Sequence, residues 1–290
     1  MAELSLRPLS LGEILDRTFT LYRRNFLLFV GITAVPHLLT LAFNLCQVFF
    51  WNTTTAPASR ARGAQLPAFP SSGTLAAVIL GGLAAFLVYM VVYFFSQAGT
   101  IYAVSEIYLG RSTTISASLS RSWGQLGNLF GVSLLSFIGI AVGVICLIIP
   151  GIYLACRWIC CVPAALLEEL GPVSSLERSY HLTEDNAGRA FLIYVLYFVL
   201  TYAASILLVI PFTVAMALSI KDPAMVRAWT GLMQVGTFFS GVLVGPILLI
   251  ATSVFYYDLR IRKEAFDLQL MMHPSGVVPS GTAGVPSMLS

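Results

Sequence analysis

Six long apolar runs constrain this chain more than any other feature of its sequence. They lie near residues 26–51, 74–105, 126–149, 152–168, 190–218 and 229–257, with charge confined largely to the stretches between them. A hydrocarbon layer about 30 Å thick is spanned by roughly 20 apolar residues at a helical rise of about 1.5 Å. The fourth run is the shortest and contains Arg157, so it also fits a re-entrant or strongly tilted segment. Charged residues make up 10% of the chain, against about 25% in a soluble domain. With a mean hydropathy of +0.86, this excludes an ordinary soluble enzyme. The expected fold is an all-α membrane protein with six transmembrane helices.

A net charge of +3, with no basic run interleaved with aromatics, excludes a nucleic-acid partner. All five cysteines sit inside apolar stretches, without the spacing of a disulfide framework or a zinc site. Ala56-Pro57-Ala58 resembles a signal cleavage site. The apolar run before it, Phe26 to Trp51, far exceeds the about 7–15 residues of a signal peptide. Asn52 to Gly73 reads as a flexible loop, and 273–290 as a disordered tail. Pro150-Gly151 is a strong turn signal, predicting a tight hairpin between the third and fourth spans.

Basic loop residues are retained on the cytoplasmic side. Arg60, Arg62, Lys221 and Arg227 fall on one side of the six-span arrangement. Eleven Lys and Arg, Arg17, Arg121 and Arg178 among them, fall on the other, which predicts that both termini are cytoplasmic. Asn52-Thr53-Thr54, on the outer side, matches a glycosylation sequon.

One pattern recurs before the odd-numbered spans. Leu15-Asp16-Arg17-Thr18-Phe19, Leu119-Ser120-Arg121-Ser122-Trp123 and Leu176-Glu177-Arg178-Ser179-Tyr180 all read Leu, polar, Arg, hydroxyl, aromatic. The expected unit is an interfacial amphipathic helix, a span out and a span back. Three such parallel hairpin repeats, at about 8–108, 109–168 and 170–258, would be followed by a short cytoplasmic helix at 259–272, all in one membrane domain at 1–272. Ser10 with Glu13 forms a candidate capping box, and Ser174 with Glu177 a second. Equivalent placement would bring Arg17, Arg121 and Arg178 to one level on the cytoplasmic face. There they would either hold a lipid phosphate or other anion, or pair locally with acids and headgroups.

Within the spans, Arg157 needs protein, water or headgroups around it, since an arginine at helix centre costs at least about 2.5 kcal/mol on insertion scales. It could contact a phosphate or a substrate carboxylate. Alternatively it snorkels to the outer interface, lying six residues beyond the Pro150-Gly151 turn. His37 follows Pro36, whose ring frees a carbonyl that needs a partner. No acid lies deep in another span to serve His37 as a proton relay. Glu106, Glu168, Glu169 and Asp258 gather at the span ends, where they can pair with the repeated arginines. Gly127/Gly131, Gly139/Gly143 and Gly241/Gly245 permit close helix approach. No HExxH, phosphate-binding loop or GxSxG elbow is present, so neither a metal nor an organic cofactor is expected.

The opening Leu6-Arg7-Pro8-Leu9-Ser10-Leu11-Gly12-Glu13-Ile14-Leu15-Asp16-Arg17, the central Pro150-Gly151-Ile152-Tyr153-Leu154-Ala155-Cys156-Arg157 and the closing Tyr256-Tyr257-Asp258-Leu259-Arg260-Ile261-Arg262 resemble a bacterial integral-membrane family. Its members look like the membrane domain attached to some glycerophosphoryl diester phosphodiesterases, and many stand alone. The resemblance extends to about Leu270 and implies a bacterial inner membrane. It implies no hydrolase activity, because the catalytic barrel of the fused proteins has no counterpart here.

These features favour a non-enzymatic scaffold or accessory protein that engages membrane lipids, or a protein partner, at its cytoplasmic face. Arg17, Arg121, Arg178 and Arg157 are its candidate lipid or anion ligands. A carrier or channel for a small anionic solute is the alternative, and an intramembrane lipid-modifying enzyme the third reading.

Overall fold

A computed structural model describes residues 9–48 and 72–264. The sequon, most of the 52–73 loop, the part of the short terminal helix beyond residue 264, and the 273–290 tail therefore lie outside the described residues. Within them the chain is helical, without strands, and six helical stretches are long and apolar enough to cross a bilayer. The protein is an all-α, multi-pass membrane protein.

The helices are α1 (Leu11–Arg24), α2 (Phe26–Cys46), α3 (Ser72–Tyr108), α4 (Ile115–Ser122), α5 (Leu126–Cys146), α6 (Ile148–Arg157), α7 (Cys161–Leu167), α8 (Pro172–Leu182), α9 (Ala187–Leu208), α10 (Ile210–Leu218) and α11 (Pro223–Glu264). The candidate spans are Phe26–Cys46, Ile79–Tyr108, Ile115–Cys146, Ile148–Leu167, Ala187–Leu208 and Pro223–Glu264. Residues 259–264 continue α11 rather than starting a separate helix.

The chain divides into two compact units. One comprises Met1–Thr18, Gly127–Phe191 and Ala251–Ser290, the other Phe19–Leu126 and Leu192–Ile250.

In the first unit, α5 and the α6–α7 pair form an antiparallel hairpin. Its bend is not at Pro150-Gly151, as the turn signal predicts, but at Leu147, whose φ of −164° and ψ of 141° are extended. Pro150 sits instead in the first turn of α6, where its missing N–H breaks no helical hydrogen bond. Gly151 serves close packing. A Cβ there would clash with Val144 Cγ2 and lie 2.7 Å from the Val144 backbone nitrogen. Opposite it, a Cβ on Gly143 would lie 3.0 Å from the Gly151 Cα, and one on Gly139 would strike the Trp158 ring at 2.5 Å. The Gly139/Gly143 pair therefore does what its spacing predicts. The returning arm breaks at 158–160, and α8 folds back along α7, where Leu176, Cys161, Ala165 and Val132 form a small core.

The second unit packs α2 against α3, and α3 against α4. Pro36 leaves the Ile32 carbonyl without its helical donor, and the buried Ser96 hydroxyl donates to it at 2.9 Å. Gly241 makes room for the His37 ring, whose Nδ1 lies 2.8 Å from the Thr33 carbonyl. Pro211 follows the α9–α10 break at Val209, and Pro246 lies inside the continuous α11. Gly236 brings α11 close to that break, since a Cβ there would clash with the Leu208 carbonyl oxygen.

Candidate functional site

The capping box at the start of α1 forms as its spacing predicts. The Ser10 N–H donates to Glu13 Oε2 at 2.7 Å, and the Glu13 N–H to Ser10 Oγ at 3.3 Å. The second expected box does not form, because α8 begins at Pro172 with Gly171 as its N-cap and no side-chain cap. Proline at the helix start already suits an end whose amide donors are unpaired, and it places Ser174 inside the first turn.

The three copies of the five-residue pattern fall on α1, α4 and α8 or directly at their ends. In each, the hydroxyl is buried: Thr18, Ser122 and Ser179 are at most 1% exposed. Thr18 and Ser122 donate to the carbonyls four residues back, Ile14 and Ser118. Ser179 acts between helices instead, donating to the Arg157 carbonyl at 2.9 Å and accepting from the Cys160 N–H at 3.1 Å. Thr183 donates to the same carbonyl at 2.8 Å. α6 ends at Arg157, where terminal carbonyls lose their helical donors, and two hydroxyls from the α8 segment replace them.

The candidate arginines have different surroundings. Arg17 is half-buried on α1. Arg121, 60% exposed, pairs with Glu106 at 3.0 Å and lies over the Tyr102 ring. Arg178 is held between Glu168, at 2.8 Å, and Glu264. Burial alone would pull the Arg178 guanidinium down, but hydrogen bonding and charge from Glu168 and Glu264 outweigh it and hold the group above its usual range. Tyr256 donates to Glu168 at 2.5 Å, and Arg260 pairs with Glu264 at 3.0 Å. Glu106 and Glu168 thus neutralise two of the repeated arginines, as their position at the span ends predicts.

A second cluster centres on Asp258, which pairs not with the repeated arginines but with Arg189 and Arg262. Asp258 is fully buried and accepts from the Leu9 N–H at 2.6 Å, from Arg189 at 2.9 Å and from Arg262 at 3.0 Å. Both arginines also donate to the Leu9 carbonyl. One carboxylate and two guanidinium groups thereby satisfy both backbone polar groups of a residue 249 positions away.

Arg157 differs from all of these. It is 4% exposed, and its guanidinium carbon lies 3.8 Å from the Tyr180 ring centroid and 5.8 Å from that of Tyr153. A desolvated cation–π stack of this kind contributes about 2 kcal/mol. Its Nε is buried without a hydrogen-bond acceptor, and no carboxylate among the described residues pairs with it. The arginine does not snorkel toward the Leu147 bend but lies beside α8. It lines a cleft of about 470 Å³ with Tyr153, Tyr180, Glu184, Asp185, Ala187 and Gly188, a volume within the range of small-ligand sites. The sequence marks Arg157 as unusual, but gives no sign that Tyr180, of the third copy, stacks on it. Among the described residues no group of three or more His, Cys, Asp or Glu gathers as a metal site.

No protein-family model matches the chain, and neither the curated proteins nor the solved structures contain a significant match to it.

Proposed function

We propose that the protein is a non-enzymatic accessory or scaffold protein of a bacterial inner membrane, with both termini cytoplasmic, that holds a lipid headgroup at Arg157. The resemblance to the stand-alone membrane domains and the excess of Lys and Arg on one side support that setting. One observation carries the ligand assignment. Arg121 and Arg178 already have carboxylate partners, whereas the buried Arg157 has none among the described residues and opens on a cleft. A desolvated guanidinium with unused donors is suited to a phosphate, which it can engage through two parallel N–H bonds. Tyr153 and Tyr180, both partly exposed at the cleft, are side chains of the kind that sit at headgroup level. The paired clusters around Glu168 and Asp258 fit a structural role, and they leave no free acid–base pair there for a reaction.

The test is the phospholipid retained per chain after purification in mild detergent. Charge-assisted hydrogen bonds contribute about 1.5–3 kcal/mol, or roughly tenfold or more in affinity. R157Q is expected to lose most of the retained phospholipid and R121Q little. Equal retention by R157Q and the parent protein would remove the assignment.

A further inference from the structure

The Arg157 cleft carries charge of both signs. Glu184 and Asp185 also line it, in the tight turn between α8 and α9, and both are exposed. Neither closes onto Arg157. Among the described residues Glu184 reaches only Lys263, at 4.0 Å, and Asp185 makes no ion pair. Two carboxylates and a guanidinium therefore share one cleft without neutralising one another directly, although Coulomb attraction would favour contact if nothing else held them apart. Asp185 has a φ of 66°, a conformation uncommon for a residue other than glycine. At Gly188 nothing lies within 4 Å of where a Cβ would stand, so this part of the wall is open rather than packed.

Resting on the headgroup reading above, we infer that the occupant is zwitterionic: the phosphoethanolamine headgroup of a membrane lipid, with phosphate on Arg157 and ammonium toward Glu184 and Asp185. A purely anionic headgroup would satisfy the guanidinium but face two carboxylates, of which only Glu184 has a cation, Lys263, near it among the described residues. A choline headgroup would bring positive charge without N–H groups to donate to them. A primary ammonium supplies three donors, which suits two adjacent carboxylates. The aromatic rings of Tyr153 and Tyr180 flank the guanidinium end, leaving the acidic wall to distinguish one headgroup from another.

The test uses the full chain in detergent micelles doped with phosphatidylethanolamine, phosphatidylcholine or phosphatidylglycerol of identical acyl chains, with bound lipid counted by native mass spectrometry. Ion pairs at exposed carboxylates are weak, so the expected preference for phosphatidylethanolamine is about threefold to tenfold over either competitor. The double variant E184Q/D185N should reduce phosphatidylethanolamine binding to the level of phosphatidylcholine, and R157K should weaken binding of all three. Arg157-dependent binding with equal affinity for the three lipids would overturn the zwitterion inference while leaving the headgroup reading intact. So would a preference that survives in E184Q/D185N. Binding that is indifferent to both R157K and R157Q would overturn both. Soluble phosphoethanolamine that binds as tightly as the lipid would overturn the membrane as the source.

Discussion

Replacing Asp258 with Ala should release the start of α1 by an amount the geometry sets. The carboxylate is fully buried and accepts three hydrogen bonds, one from a backbone N–H and two from guanidinium groups. Removing one partner of a buried charge cluster costs about 3–5 kcal/mol, because the remaining charges stay behind unpaired. Here the arginine side chains are 20% and 34% exposed, so water partly rehydrates them and the lower figure, about 3 kcal/mol, applies. The Leu9 N–H, with Leu9 2% exposed, would also lose its acceptor. A 3 kcal/mol loss is a little over a hundredfold in the local opening equilibrium. Hydrogen exchange measured by mass spectrometry on peptides covering residues 9–18, in detergent, reads that opening directly. D258A should raise exchange there by about a hundredfold, and D258N by less, since the amide oxygen can still accept from Leu9. Asp16, exposed on the same helix, provides the control, and D16A should change exchange little. An increase below about fivefold in D258A would refute the claim that Asp258 holds this segment.

Two further substitutions test the helix contacts. Ser96→Ala should destabilise by about 1–3 kcal/mol by stranding the Ile32 carbonyl. Adding Pro36→Ala should recover part of that loss, because residue 36 regains the N–H that bonds to this carbonyl; a thermal-unfolding double-mutant cycle without coupling would refute the pairing. Gly151→Ala should cost about 1–3 kcal/mol or block assembly, since its methyl group would meet the Val144 backbone as well as its side chain. An unchanged melting temperature would mean that α5 and α6 do not approach as described.

Features governed by neighbouring residues were legible in the sequence. The six apolar stretches, the Ser10–Glu13 box and the Gly139/Gly143 contact all follow from composition or short spacing. The orphaned carbonyl before Pro36 was legible too, although not the identity of Ser96 as its partner, 64 residues away. Two local rules compete where the structure departs from the sequence pattern. Pro-Gly usually signals a turn, yet proline is equally at home in the first turn of a helix, and the second rule holds at Pro150. The same preference for proline at a helix start displaced the box expected at Ser174. The site depends on distant contacts. Arg157 stands out by its type and setting, but its stack on Tyr180 and the lining of its cleft by Glu184 and Asp185 arise only once α8 folds back along α7. The Leu9 clamp joins residues from opposite ends of the described chain, and no local pattern announces such a contact.

That clamp also sets an order of events during biogenesis. Translation delivers Leu9 near the beginning and Asp258 some 249 residues later, so the first unit stays incomplete while the other segments enter the bilayer. Its early pieces must wait, with Arg189 lacking its carboxylate, until the last helix emerges. A nascent chain interrupted before Asp258 would therefore leave the Leu9 N–H without its acceptor and Arg189 without its carboxylate.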